Sequence, residues 1–150
     1  MNAKIALAAA YLAASATPAL AAPWMAIDAS PNIMVMVDRG SIERYGAVRT
    51  ARTLWIVKGR PPSVATLRLY CDMNKFEDAG QQPVNSDMSL APMVPGSSRT
   101  NDAPAGSIGA AILANVCQDR LVNTSAGWTR PDLKSAIEAA RASGYTPAWP

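Results

Sequence analysis

Cationic side chains are concentrated between residues 39 and 68. This stretch holds seven Arg and Lys residues against one carboxylate, Glu43, although the whole 150-residue chain has a formal net charge of only +3. A local excess of positive charge attracts anionic partners and speeds their association. Residues 69–104 have the opposite bias, with five Asp and Glu residues against Lys75 and Arg99. The sequence therefore favours either an anion-binding surface or two blocks that pair with each other in the folded chain.

Two tyrosines accompany these cations, and Tyr and Arg together are enriched in protein interfaces. Tyr45 adjoins Arg44 in an expected turn, and Tyr70 shares an outward strand face with Arg68. We predict a partner-binding surface, and its residues are Arg44, Tyr45, Arg49, Lys58, Arg60, Arg68 and Tyr70. The alternative is a solvated sheet face whose charges protect an edge strand from aggregation.

Arg52 is not included in this predicted surface, because it shares an expected strand face with the apolar residues Leu54 and Ile56. We expect it to be buried against a carboxylate such as Asp38. Arg49 falls on the opposite face of a regular strand, so Arg49 and Arg52 form no common stripe unless a bulge intervenes.

The sequence contains no complete motif of a common enzyme mechanism. The chain has no His, which is the usual general base for Ser and Cys nucleophiles. Asp38 and Glu43 are paired carboxylates in principle, but turn carboxylates usually cap backbone N–H groups or pair with Arg. The G-x-x-G at 106–109 lacks the strand and the third glycine of a dinucleotide site. We expect no enzymatic activity, no cofactor and no metal.

The first 21 residues have the pattern of a signal peptide. Lys4 precedes an apolar run of about ten residues, against the roughly 20 that a membrane-spanning helix needs, and Ala19 to Ala21 offers a cleavage site. We predict cleavage after Ala21 and a location in the periplasm, at the cell surface or outside the cell. The mature chain is expected to form one domain that does not span a membrane.

Two cysteines, Cys71 and Cys117, are the only ones in the chain. In an exported protein two cysteines most simply pair, and closing this loop is worth about 4 kcal/mol in the chain-entropy model. A metal site or a reactive thiol is the alternative, but a metal needs more ligands than these.

Strands are expected in the first half of the chain. Residues 32–38 are apolar on both faces, which is typical of a central strand covered on both sides. Residues 38–46 read as a turn, residues 47–58 as a strand, and residues 64–72 as a strand with clean alternation. The polar stretch 73–104 is expected to hold at most one short strand, around residues 88–94, which Pro92 makes an edge strand.

Two helices follow. The first is expected over residues 107–119, with Ser107 as its N-cap. The second is expected over residues 129–144, with Thr129 and Asp132 as a capping box and Gly144 after its end. Because the strands come early and the helices late, we predict an α+β fold: an antiparallel sheet of four to six strands packed against a helix, with an extra C-terminal helix.

The order of these features resembles the surface-adhesin protein E family of bacterial envelope proteins. The similar parts are Trp24, the segment "VMVDRGSIERYG" at 35–46, the strand with Trp55, "LYCD" with Cys71, and a helix that reaches Cys117. The resemblance implies an antiparallel sheet packed against a helix, bonded cysteines, binding of host matrix and serum proteins, and dimerisation.

The resemblance also suggests a division of the chain into a signal peptide at 1–21, an adhesin-E-like domain at 22–118, and a C-terminal helical extension and tail at 119–150. Unlike the lipoprotein members of the family, the chain has no lipidation cysteine after its signal peptide.

The expected function is that of an exported envelope binding protein. Its expected partners are proteins, anionic glycans or lipid surfaces, and a homodimer is possible. Base-specific recognition of nucleic acid is not expected, since the net charge falls to +2 once Lys4 is removed. A periplasmic enzyme and a purely structural envelope component are the alternatives.

Overall fold

A computed structural model describes residues 23–118 and 129–149. They form one antiparallel sheet with eight strands and two helices. The strands are β1 (Trp24–Ala29), β2 (Ile33–Tyr45), β3 (Val48–Val57), β4 (Ser63–Tyr70), β5 (Lys75–Pro83), β6 (Val94–Pro95), β7 (Thr100–Asp102) and β8 (Thr129–Arg130), and the helices are α1 (Ile108–Cys117) and α2 (Leu133–Ala142). The predicted α+β fold is confirmed. The predicted signal peptide and its cleavage site near Ala21 lie outside the described residues.

The strand order across the sheet is β6-β5-β4-β3-β2-β1-β8, and β7 also pairs with β5. Consecutive strands from β1 to β5 are therefore neighbours, and every pair is antiparallel. Such a meander needs only short connections, which agrees with the spacing of strands and turns in the sequence.

Each face of the sheet carries its own apolar core. On one side, which we call the α1 face, helix α1 covers a cluster whose members include Val35, Val37, Leu67, Leu69, Ile112 and Val116. On the other side, the α2 face, helix α2 covers a cluster whose members include Trp24, Met34, Met36, Leu54, Ile56 and Ile137. The expectation that residues 32–38 are covered on both faces is confirmed, and so is the alternation of β4.

The sheet has more strands than the four to six expected, because residues 73–104 contain β5, β6 and β7. The expectation of at most one short strand in this stretch was wrong. The sequence of β5, "KFEDAGQQP", is polar, yet it pairs with β4 from Tyr70↔Lys75 to Ser63↔Pro83. Backbone hydrogen bonds to the neighbouring strand hold β5 in place, and they do not depend on an apolar side-chain pattern.

The expected turn at 38–46 is instead a bulge within β2. Asp38 lies opposite Arg52 and Glu43 lies opposite Thr50, so β2 holds extra residues between these two pairs. Ser41 closes the bulge, because its hydroxyl donates to the Asp38 carbonyl at 2.7 Å and accepts from the Arg52 backbone N–H at 2.8 Å. The chain then reverses between Tyr45 and Val48.

The N-cap of α1 was predicted correctly, and that of α2 was not. Ser107 accepts from the backbone N–H of Ala110 at 3.1 Å. At α2 the cap is Asp132, which forms a capping box with Ser135. Thr129 is unavailable as a cap, because Thr129–Arg130 is strand β8 and pairs with β1.

The predicted disulfide is present. Cys71, directly after β4, is bonded to Cys117 in the last turn of α1, with their Cα atoms 5.6 Å apart. The bond fixes one end of α1 to the sheet, where it covers the α1 face.

The C-terminal segment packs on the same sheet. The Tyr145 hydroxyl donates to the Ser30 carbonyl at 2.9 Å, and the Trp149 indole donates to the Val84 carbonyl at 2.9 Å. Both rings pack against the core of the α2 face. Within the described residues, neither helix has the length and apolar character that a membrane span requires.

Candidate binding surface

The seven residues of the predicted binding surface lie in three separate places. Tyr45, Arg68 and Tyr70 share the α2 face, Arg44 and Arg49 belong to the α1 face, and Lys58 and Arg60 lie in the β3–β4 turn at the opposite end of the sheet. The structure therefore does not bring them together into one basic surface.

The first group continues the α2 face toward the β2–β3 turn, where polar side chains replace apolar ones. The pairing register aligns Glu43, Thr50, Arg68 and Glu77 in one row across four strands. Glu77 is buried, and it accepts from the Arg68 guanidinium at 3.0 Å and from the Tyr70 hydroxyl at 2.9 Å. The charge of Arg68 is thus matched by a carboxylate from the acidic block of the sequence.

Tyr45 is the most exposed member of this group, with 63% of its surface accessible. Its hydroxyl donates to Glu43 at 2.7 Å. This hydrogen bond and the charge of Glu43 raise the pKa of Tyr45 above its ordinary value, so the phenol stays neutral well above pH 7. A second ion pair on this face, Lys75 with Asp102 at 3.2 Å, also balances its charge. This part of the face is polar and aromatic, and its cations Arg68 and Lys75 are paired with carboxylates.

The second group combines an exposed arginine, Arg44, with a half-buried one, Arg49. Arg44 and Arg49 are opposite each other in the β2–β3 register, and Arg49 is next to Leu69 on β4. Arg49 is half-buried, and its Nε and Nη1 atoms are fully enclosed. Both arginines make interactions within the folded chain.

Arg52 is paired as expected, but it is only half-buried. Its guanidinium lies 3.6 Å from the carboxylate of Asp38 and 5.8 Å from the centre of the Trp24 ring. The predicted pairing with Asp38 is confirmed, although the Arg52 side chain keeps 37% of its surface exposed. Arg49 and Arg52 do lie on opposite faces, as expected.

The third group is different because both of its cations, Lys58 and Arg60, are exposed and neither is paired with a described carboxylate. The Lys58 ammonium lies 5.6 Å from the centre of the Tyr145 ring. The carbonyl of Arg60 accepts from the Ala148 N–H at 3.2 Å, which ties the turn to the C-terminal segment.

A third cation lies along the same segment. Arg141, in the last turn of α2, places its guanidinium 5.7 Å from the centre of the Trp149 ring. We call these five residues, Lys58, Arg60, Arg141, Tyr145 and Trp149, the basic tail surface. The Tyr145 ring lies beside Lys58 and the Trp149 ring beside Arg141. Each ring attracts its cation through the negative potential above the aromatic face.

The sequence patterns did not predict Arg141, Tyr145 and Trp149 as members of this surface. They belong to a short helix end and an irregular segment, "YTPAWP", for which no strand or helix pattern predicts a neighbour. One signal in the sequence was available: two aromatic residues lie within this six-residue segment. Large aromatic side chains usually pack against other residues, so they indicate that the segment contacts the domain.

The described part of the chain holds no group of three or more His, Cys, Asp or Glu residues that could bind a metal. What the fold and surface define is an α+β domain, closed by one disulfide, with a basic surface supported by aromatic rings. No family model, curated protein or solved structure matched the chain. The resemblance to the surface-adhesin protein E family stays a prediction.

Proposed function

We propose that this protein is an exported binding protein of the bacterial envelope that contacts anionic partners through the basic tail surface. The observation that carries the proposal is the state of the predicted contact cations. Arg68 is paired with Glu77, and Arg49 is partly enclosed. Lys58 and Arg60 are exposed, with no ion pair to a described carboxylate.

Exposed cations of this kind are suited to a first, electrostatic contact with an acidic protein, an anionic glycan or a lipid headgroup. Such cations stay hydrated in the free protein. They mainly increase the association rate and select partners of negative charge. The Tyr145 and Trp149 rings add flat amphipathic surface beside them, which is typical of protein interfaces. The resemblance to an adhesin family agrees with this role.

The proposal is tested by charge reversal with a matched control. Lys58→Glu combined with Arg60→Glu is expected to weaken binding to immobilised heparin about tenfold at low ionic strength, with a difference that shrinks as salt is added. The control, Arg39→Glu with Arg99→Glu, makes the same change in net charge at two exposed arginines outside this surface.

Both double variants should melt close to the temperature of the parent protein, because all four side chains are exposed. Equal losses of heparin binding in the two variants would mean that only net charge matters, and the proposed surface would be wrong. A pull-down from envelope extract with the mature protein, compared with the Lys58→Glu/Arg60→Glu variant, then identifies the natural partner.

A further inference from the structure

A second candidate site lies on the opposite side of the sheet. On the α1 face a cleft of about 380 Å³ opens over β3, β4 and β5. Its apolar lining includes Trp55, Leu67 and Phe76, and its polar lining includes Asp78, Gln81 and Asn101. Ligand pockets range from roughly 300 to 1,000 Å³, so this cleft suits one small ligand.

The aromatic floor of the cleft is held in a fixed orientation. The Trp55 indole N–H donates to the hydroxyl of Thr53 at 2.9 Å, and Thr53 is fully buried. Trp55 is half-buried and packs on the core of the α1 face. Because its N–H is already bonded, Trp55 offers a ligand the ring itself, whose negative face attracts C–H groups that carry partial positive charge.

The polar rim is held by internal hydrogen bonds. Asp78 accepts from the Gly80 N–H at 2.9 Å and from the Gln81 side-chain amide at 2.8 Å. The Asn101 amide donates to the Arg99 carbonyl at 3.1 Å. One N–H of each amide is thus engaged, which fixes the orientation of the group, and the amide oxygens of Gln81 and Asn101 can accept from hydroxyl donors.

The rim is also held close to the floor. A Cβ at Gly96 would lie 1.8 Å from the Asp78 carbonyl oxygen, so only a glycine lets this segment pack directly on β5. Five residues later, Asn101 pairs with Phe76 in the β5–β7 register. Floor and rim are consequently in place before a ligand arrives, which reduces the entropy lost on binding.

We propose that this cleft binds a neutral pyranose sugar, with its C–H face on Trp55 and its hydroxyls on the amide and carboxylate oxygens of the rim. A wholly apolar ligand would cover these oxygens without giving them partners. An anionic ligand would meet the Asp78 carboxylate. The site is separate from the basic tail surface and does not rest on the proposed function.

Two-dimensional ¹H–¹⁵N NMR of the folded, disulfide-bonded protein tests the proposal. The probes are the methyl glycosides of glucose, galactose, mannose and N-acetylglucosamine, and the readout is the indole N–H signal of Trp55, assigned by its loss in Trp55→Phe. We expect at least one probe to shift this signal with a dissociation constant of about 1 mM, which is usual for weak small ligands.

Gln81→Ala should weaken that binding about fivefold or more, since it removes one rim acceptor. Gln82→Ala is the matched control, because Gln82 is the next residue along β5 and bonds the Ala91 carbonyl outside the cleft. Lys58→Glu with Arg60→Glu should also leave sugar binding unchanged, which separates this site from the proposed function.

The proposal is overturned if none of the four glycosides shifts the Trp55 signal. It is equally overturned if Gln81→Ala and Gln82→Ala bind alike, or if methyl glucuronide, which is anionic, binds more tightly than the neutral probes.

Discussion

The arginines of β3 and of the turn after it differ in role because they differ in surroundings. Arg49 has two guanidinium nitrogens enclosed on the α1 face, Arg52 shares the α2 face with Asp38, and Arg60 is in open solvent. A charge that is enclosed has lost its hydration, so changing its sign is costly. A charge in solvent can be reversed with little effect on folding.

This contrast gives a prediction at the scale of single residues. Arg49→Glu should reduce the free energy of unfolding by about 2 kcal/mol or more, because a carboxylate would be placed where guanidinium atoms are buried. Arg60→Glu should change it by less than about 0.5 kcal/mol. Urea unfolding followed by circular dichroism measures both values.

If Arg49→Glu and Arg60→Glu have the same free energy of unfolding, the enclosure of the Arg49 guanidinium does not affect stability and the prediction is wrong. Arg49→Met serves as the control for charge, since it keeps the unbranched apolar stem and removes the guanidinium.

At the scale of elements, the contact between α1 and β5 depends on one small residue. Gly109 lies in the first turn of α1, and a Cβ there would lie 2.7 Å from Cε1 of Phe76 on β5. Phe76 in turn packs against the core of the α1 face. The absence of a side chain at Gly109 therefore determines how closely the helix approaches the sheet.

Gly109→Ala tests this approach, because two effects of opposite sign compete. Helix propensity alone would stabilise the protein by up to about 1 kcal/mol, whereas overlap with the Phe76 ring should cost about 1–3 kcal/mol. We expect net destabilisation, measured as a lower midpoint of thermal unfolding.

The control is the same substitution in a Phe76→Leu background, where the smaller side chain removes the overlap. There Gly109→Ala should be neutral or stabilising, and a double-mutant cycle gives the coupling energy. Additive effects of the two substitutions would contradict the proposed contact.

For the whole molecule, the covering of the α1 face depends on a long-range covalent bond. Cys71 and Cys117 are 46 positions apart in the sequence, and β5, β6, β7 and most of α1 lie between them. The bond closes a large loop that would otherwise be free in the unfolded chain, and so it reduces the entropy of the unfolded state.

Replacing both cysteines by serine should lower the free energy of unfolding by about 2–4 kcal/mol. Chemical denaturation of the oxidised parent and of Cys71→Ser/Cys117→Ser, both without reductant, measures the difference. The parent protein in excess dithiothreitol should then resemble the double variant. Unchanged stability in the double variant would show that the core alone holds α1 on the sheet.

Much of the fold followed from local sequence patterns. The alternation of β4, the apolar faces of residues 32–38 and the Ser107 cap were all correctly predicted, because period and capping are properties of neighbouring residues. The disulfide followed from having two cysteines in an expected exported chain. By itself, the sequence determined the α+β class, the central strands and the covalent closure of the domain.

The tertiary structure alone decided the rest. Strand β5 was not predicted because it is held by backbone pairing with β4 and not by an apolar side-chain pattern. Thr129 does not cap α2 because it belongs to β8, which pairs with β1. Strand alternation and the bulge in β2 divided the cations near the β2–β3 turn between the two faces, and Lys58 and Arg60 lie apart because they belong to the β3–β4 turn. A shift of one residue reverses a strand's faces, so which charges share a surface depends on pairing between distant segments.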